Sequence, residues 1–336
     1  MSSSAASSSS AAAPAAVPAA AAAPAAAAAP AAASAAPRAA GAAVVEVKDL
    51  NFTYGAAAGF KVVLHDMSFS LPRGSRTLLV GDNGAGKSTL LRLLAGKHIH
   101  APGVVRVLGR ESYFDTSLNL LRAYLSTDWG RKTVAFSGVS SMSVDIAVRE
   151  MMADTQAQFL PRRAQLVELL GVDLDWRMHQ LSDGQRRRVQ IMLQMLRPVE
   201  VLLLDEITTD LDLITRQDFL NHLKVEAEAG GAAIVYATHI FDGLDQWPTH
   251  IAYVGEGRLL KFGRVEEFAD LQDKFRSGTV APLLRTIESW LRSDRERRRA
   301  AGAKMTEVAG ALEESNLGEL SGNGYLSGRF NSGYGN

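Results

Sequence analysis

The chain has 336 residues, 47% of them hydrophobic, with 36 basic against 36 acidic side chains and no cysteine. That length suffices for one sizeable core, or for a two-lobed domain with tails. Zero net charge argues against a general electrostatic footprint for nucleic acid or anionic membrane, and the missing cysteine excludes disulfides, cysteine-based zinc sites and thiol nucleophiles.

Residues 1–43 are almost only Ala, Ser and Pro, with Arg38 the one charged side chain before Glu46. Pro14, Pro18, Pro24, Pro30 and Pro37 interrupt any helix and count against a membrane span. Alanine buries too little apolar surface to offset chain ordering, so a disordered arm is expected. An Ala/Ser-rich, acid-free N-terminus is also the composition of a plastid transit peptide, although such peptides carry more arginine; the reading adopted is a cytoplasmic chain. From Glu46 onward no uninterrupted apolar stretch reaches membrane length.

Val44–Val47 and Val62–His65 read as short strands joined through Asn51-Phe52-Thr53-Tyr54-Gly55, and Met67–Leu71 and Arg76–Val80 as a second pair across the turn Pro72-Arg73-Gly74-Ser75. Tyr54 is either a ring packed at a strand end or a stacking surface for a nucleotide base. Then comes Gly81-Asp82-Asn83-Gly84-Ala85-Gly86-Lys87-Ser88-Thr89, between the apolar run Thr77–Val80 and a helically spaced Leu90–Leu94. Strand, glycine-rich loop and helix in that order are the context that G-x-x-x-x-G-K-[ST] needs to cradle phosphate. Glycines let several N–H groups converge on one anion, and the helix N-terminus adds its positive end. Lys87 is placed to reach the β- and γ-phosphates and the Ser88 hydroxyl to ligate Mg²⁺.

After Gly109-Arg110 the pattern turns irregular, then helical over Ser143–Thr155 and Arg162–Leu170, with Pro161 as a start signal and Gly171 as a stop. Leu181-Ser182-Asp183-Gly184-Gln185 opens the next helix; Ser182 and Gln185 make a capping box, and a Ser and a Gly at a helix N-terminus equally suit an anion. Arg186, Arg187 and Arg188 follow, a solvated face by the simplest reading. Val201–Leu204 suit a buried parallel strand whose C-terminal end carries Asp205 and Glu206 into the ligand crevice. There Asp205 would hold Mg²⁺ and Glu206 would act as base or orient the attacking water. Ala233–Ala237 give another buried strand, with His239 at the same sheet edge. Ile251–Val254 and Arg258–Phe262 read as a hairpin, and Arg292–Lys304 as a solvated, charged helix end without the aromatics of a nucleic-acid surface. From Ser315 a Gly/Ser/Asn-rich flexible tail is expected.

GDNGAGKST, LSDGQ, VLLLDE, TTDLD and YATH, in that order, resemble the nucleotide-binding domain of ABC ATPases over about Val44 to Leu271. WRMHQLSDGQRRRVQI, VLLLDEITTDLD and IVYATHIFDGLDQW look more narrowly like the soluble ABC proteins of plant subfamily I and a yeast counterpart associated with a transcription and deadenylation regulator. The resemblance implies an α/β fold: a RecA-like P-loop core with an antiparallel β subdomain and a helical signature subdomain at about 110–195. A C-terminal helical extension at 272–314 and the tail at 315–336 would follow. It implies ATP and Mg²⁺ as ligands and a head-to-tail dimer as the working form. Tyr54 matches the aromatic that stacks on adenine; Gly81, Asn83, Gly84, Gly86, Lys87, Ser88 and Thr89 match the phosphate loop. Asp205 matches the magnesium carboxylate, Glu206 the catalytic glutamate and His239 the γ-phosphate switch. Ser182, Gly184 and Gln185 match the signature that caps the partner protomer's γ-phosphate, and Asp212 the loop aspartate that couples the two sites.

Three positions depart from the family: Asp183 replaces a signature glycine, Asp210 a small residue, and Ser137 stands where the Q-loop glutamine belongs. That glutamine contacts magnesium and relays nucleotide state, so Ser137 bears on turnover and coupling. Three functions are compatible with these features. One is a regulatory or complex-remodelling ATPase, dimeric with itself or a paralogue within a soluble complex; another is the ATP-binding subunit of a transporter whose membrane subunit is separate; the third is a scaffold that barely hydrolyses. No direct nucleic-acid contact is expected in any of them.

Overall fold

The computed structural model describes residues 43–54, 62–127 and 145–300. The alanine-rich arm, the Ser137 position and the Gly/Ser/Asn-rich tail lie outside those residues. Strands β1 (Ala43–Thr53), β2 (Val62–Pro72), β4 (Val105–Val107) and β5 (Arg110–Glu111) form an antiparallel sheet in the order β2-β1-β4-β5. Strands β3 (Arg76–Val80), β6 (Arg122–Ser126), β7 (Val201–Asp205), β8 (Ala233–Ala237), β9 (His250–Gly255) and β10 (Arg258–Arg264) form the central sheet, in the order β10-β9-β3-β8-β7-β6. All of its pairings are parallel except the β9–β10 hairpin.

The continuous apolar runs follow from this arrangement, because a central parallel strand is covered on both faces. Every residue of β3, β7 and β8 is buried. Alternate residues sort into two cores: Leu202, Leu204, Ile234 and Tyr236 enter one, Val201, Leu203, Val235 and Ala237 the other. Helix α1 (Lys87–Leu94) shares that second core with the antiparallel sheet, through Leu90, Leu91, Leu93 and Leu94. On the opposite face the first core takes in α3 (Leu160–Leu170), α4 (Asp183–Met195) and α5 (Leu213–Glu228). Short α2 (Ala153–Gln158) precedes α3, and α6 (Ala269–Arg276) and α7 (Pro282–Ala300) end the described chain.

Four sequence expectations need correction. Val62–His65 and Met67–Leu71 are one strand, β2, which continues through Asp66 at φ 49° and pairs with β1. Arg76–Val80 does not form a hairpin with it; buried on both faces, it sits in the other sheet between β8 and β9. The irregular middle contains β6, whose exposed-looking sequence Arg-Ala-Tyr-Leu-Ser belongs to an edge strand paired only with β7. The described part of the expected 143–155 helix is helical in the α sense only from Ala153. Before it, Val148 N and Arg149 N donate to Trp176 O and Leu174 O, which holds the segment out of a helix. Pro161 and Gly171 (φ 56°) do bound α3 as read.

Candidate active site

Parallel strands that end together deliver their loops to one edge. Ala237 of β8 is paired with Leu79 on one side and Asp205 on the other, so the phosphate loop, Asp205-Glu206 and Thr238-His239 leave the sheet side by side. At the end of the loop Gly86 adopts φ 102°, and a Cβ on Gly81 would stand 2.1 Å from Val254 O, so neither position accommodates a side chain. Asn83 and Gly84 are exposed at the loop's crest.

Lys87 Nζ is buried and donates to Gly81 O at 2.8 Å and Asp82 O at 3.1 Å, with His239 Nε2 3.3 Å away. Burial lowers the Lys87 pKa, against the pull of Glu206 and Asp205. Ser88 Oγ donates to Asp205 Oδ1 at 3.0 Å, and Tyr124 Oη donates to Asp205 Oδ2 at 3.0 Å. Burial raises Asp205 above the usual carboxylate range, although Ser88, Tyr124 and Arg92 all favour the anion. Glu206 sits at φ 54°, a conformation non-glycine residues adopt sparingly, pinned by its N–H to Ala237 O at 3.0 Å. Its Oε1 lies 3.2 Å from His239 Nε2. Burial raises the Glu206 pKa and lowers that of His239, the latter with help from Lys87. Tyr54 stands beside the same loop: its hydroxyl is 3.2 Å from Thr89 Oγ1 and 3.3 Å from His98 Nε2, with its ring edge-on to Phe52 and His98.

Ser88 Oγ and Asp205 Oδ1 make a hydroxyl–carboxylate pair suited to Mg²⁺, an ion that takes few protein ligands and completes its shell with phosphate oxygens and water. Among the described residues no group of three or more His, Asp or Glu side chains is arranged to hold a metal by itself. The donor set therefore fits an ion that arrives with a phosphate.

The signature residues form a separate cluster. Ser182 and Gln185 close the capping box at the start of α4, with Gln185 N to Ser182 Oγ at 3.3 Å and Ser182 N to Gln185 Oε1 at 3.0 Å. Gly184 lies against the Asp210 carbonyl, and Asp183 is exposed and paired with Arg186 at 3.3 Å. Asp212 caps α5 by accepting from Thr215 N at 3.0 Å, and takes Arg188 Nη2 at 2.7 Å.

The structure adds participants that sequence reasoning missed. Tyr124 belongs to the unrecognised edge strand β6. Arg187, read as solvated, is buried, and its Nη2 donates to Asp210 Oδ2 at 2.9 Å. Arg295 and Arg298, read as a solvated helix end, both bind Asp82 in the phosphate loop. Their i, i+3 spacing puts them on one helix face, but which surface that face meets is a tertiary fact.

The family described as "ABC transporter" matches residues 64–209. The chain is 42% identical to ABC transporter I family member 20 of Arabidopsis thaliana over 307 residues, 86% of this chain and 91% of that one. It is 37% identical to CCR4-associated factor 16 of Saccharomyces cerevisiae over 255 residues, 70% and 85% of the two chains. Among solved structures, a dimeric ATP-binding cassette in a post-hydrolysis state with ADP and Pi superposes with a TM-score of 0.53 at 18% identity, covering 67% of this chain and all of that one. Among the described residues no helix is long and apolar enough to cross a membrane.

Proposed function

The chain belongs to the ABC transporter family of ATPases, and from that premise we propose that it binds and hydrolyses ATP at the interface of a head-to-tail dimer and serves as a regulatory or complex-remodelling ATPase. The observation that carries the chemistry is the convergence of Lys87, the Ser88–Asp205 pair at 3.0 Å and the Glu206–His239 pair at 3.2 Å on one sheet edge. In this reading the loop N–H groups and the α1 N-terminus receive the phosphates, while Lys87 exchanges Gly81 O and Asp82 O for phosphate oxygens. Ser88 and Asp205 would hold Mg²⁺, which supplies charge neutralisation at the β- and γ-phosphates. Glu206, raised by burial, accepts the proton of the attacking water; His239 orients the Glu206 carboxylate and reads the γ-phosphate. Tyr54 stacks on the adenine.

The dimer is supported by the separation of the two clusters. Ser182 and Gln185 make their contacts at their own helix start, and Gly184 lies against the Asp210 carbonyl. On dimerisation the exposed α4 N-terminus would face a second copy's γ-phosphate, with Ser182 and Gln185 turning from the cap to the phosphate. Asp212 would bridge the two sites. A solved cassette of the same fold is dimeric, and the yeast relative's name states an association with CCR4, while the Arabidopsis relative's name keeps the word transporter.

The test is ATP turnover by the purified chain with Mg²⁺. Lys87→Ala should abolish nucleotide binding, whereas Glu206→Gln should keep binding and lose about 100-fold or more in kcat; near-parental turnover in Glu206→Gln sinks the assignment. Tagged Glu206→Gln recovered from native cells with ATP should bring down itself, a paralogue or soluble factors. Integral membrane proteins in stoichiometric amount would mean a transporter subunit instead.

A further inference from the structure

Helix α7 is docked by an apolar stripe. Leu283, Ile287 and Trp290 are buried, and the Trp290 ring lies 5.6 Å from Tyr253 and 5.3 Å from Phe268, with Lys261 Nζ 4.9 Å from its centre. Trp290 Nε1 donates to Asp270 Oδ2 at 2.5 Å, which ties α7 to α6. One turn further, Asp294 is buried over Gly255, where a Cβ would fall 2.9 Å from its Oδ2; the missing side chain lets the helix approach the end of β9. The same end of β9 supports the phosphate loop, through the Val254 carbonyl against Gly81. The helix is thereby aimed across the loop.

There Arg295 and Arg298 close on Asp82. Arg295 grips its carboxylate with Nη2 to Oδ1 at 2.6 Å and Nε to Oδ2 at 3.2 Å, and Arg298 Nη2 donates to Oδ2 at 2.6 Å. Arg298 Nη2 also reaches Asp294 Oδ2 at 3.0 Å, which orients it from behind. The main chain of Asp82 is held as well, its carbonyl accepting from Lys87 Nζ at 3.1 Å. Asp82 is the one acidic residue of Gly81–Thr89, a loop whose N–H groups are arranged for an anion. Left unpaired beside a triphosphate, its charge would oppose binding; two guanidinium groups cancel it.

We propose that Arg295 and Arg298 are positioning residues of the nucleotide site, acting through Asp82 to neutralise its carboxylate and to hold the phosphate loop in the form that receives a triphosphate. The C-terminal helix is thus a working part of the ATP site, and nucleotide affinity depends on its docking. The inference rests on the ATP-binding reading above.

The experiment measures MANT-ATP affinity and Mg²⁺-ATP turnover of the full chain, the double variant R295Q/R298Q and the triple variant D82N/R295Q/R298Q, with melting temperatures for each. The double variant should bind about tenfold more weakly, equivalent to about 1.4 kcal/mol, and the loss should fall on KM with kcat within about twofold. Removing the uncompensated charge in the triple variant should restore the part of that affinity owed to charge, leaving the part owed to the lost grip on the loop. If the double variant fails to fold, R295Q alone, at a half-exposed side chain, should still cost about two- to threefold. A parent that binds and a double variant that binds equally well, with only its melting point lowered, would overturn the proposal and leave the ATPase reading standing. A triple variant no better than the double would also overturn it, since the arginines would then act on the nucleotide itself. A parent that binds no MANT-ATP overturns both readings.

Discussion

Ser88 and Asp205 reach their 3.0 Å contact from different elements, one in the first turn of α1 just past the phosphate loop and the other at the end of β7. A hydroxyl already donating to a carboxylate can turn its oxygen to an incoming cation at small cost, since Asp205 keeps Tyr124 as a second donor. Ser88→Ala should therefore leave the fold intact and raise the Mg²⁺ concentration for half-maximal turnover by about tenfold; an unchanged Mg²⁺ requirement would contradict the assignment. These residues were legible because the motif fixes their chemistry and the strand runs fix their position at one edge. Tyr124 was not: nothing in Arg-Ala-Tyr-Leu-Ser distinguishes an edge strand from a loop, since its buried face is short and its other edge unpaired. Asp82 and Arg295 were not either. They stand 213 residues apart, and only the docking of α7 brings them together.

At the scale of elements, α4 is fastened to the loop after β7 by a buried arginine. Arg187 binds Asp210 through Nε at 3.1 Å and Nη2 at 2.9 Å, while its Nη1 donates to Ser126 O at 3.1 Å and Gln190 Oε1 at 2.5 Å. The network joins the signature helix, the edge strand β6 and the segment that leads to Asp212. It also accounts for an acid at position 210, where the family resemblance led one to expect a small residue. Asp210→Ala would leave a buried guanidinium short of a counter-charge and should cost about 2 kcal/mol in chemical denaturation. A cost below about 0.5 kcal/mol would mean that the pair is a surface ornament. The parallel strands β7 and β8, the hairpin β9–β10 and the bounds of α3 could all be read from apolar runs and turn residues. The antiparallel sheet could be read only in pieces, because β2 carries a bulge at Asp66 that breaks its alternation, and β4 and β5 are too short to show a period.

For the molecule as a whole, the chain brings the phosphate loop, the Ser88–Asp205 pair proposed for Mg²⁺ and Glu206, the proposed base, to one sheet edge, while Ser182 and Gln185 cap their own helix. A second copy, turned head to tail, would present that helix end to the bound γ-phosphate. Binding ATP would then close the dimer and hydrolysis would open it, a switch driven by phosphate contacts. Sedimentation of Glu206→Gln and of Glu206→Gln/Ser182→Arg with Mg²⁺-ATP tests this most directly. The single variant should move from 36.0 kDa to twice that mass when ATP is added, whereas the double variant should still bind MANT-ATP and remain monomeric. Dimerisation of the double variant as readily as the single one, or a single variant that stays monomeric with ATP bound, would contradict a shared, head-to-tail site.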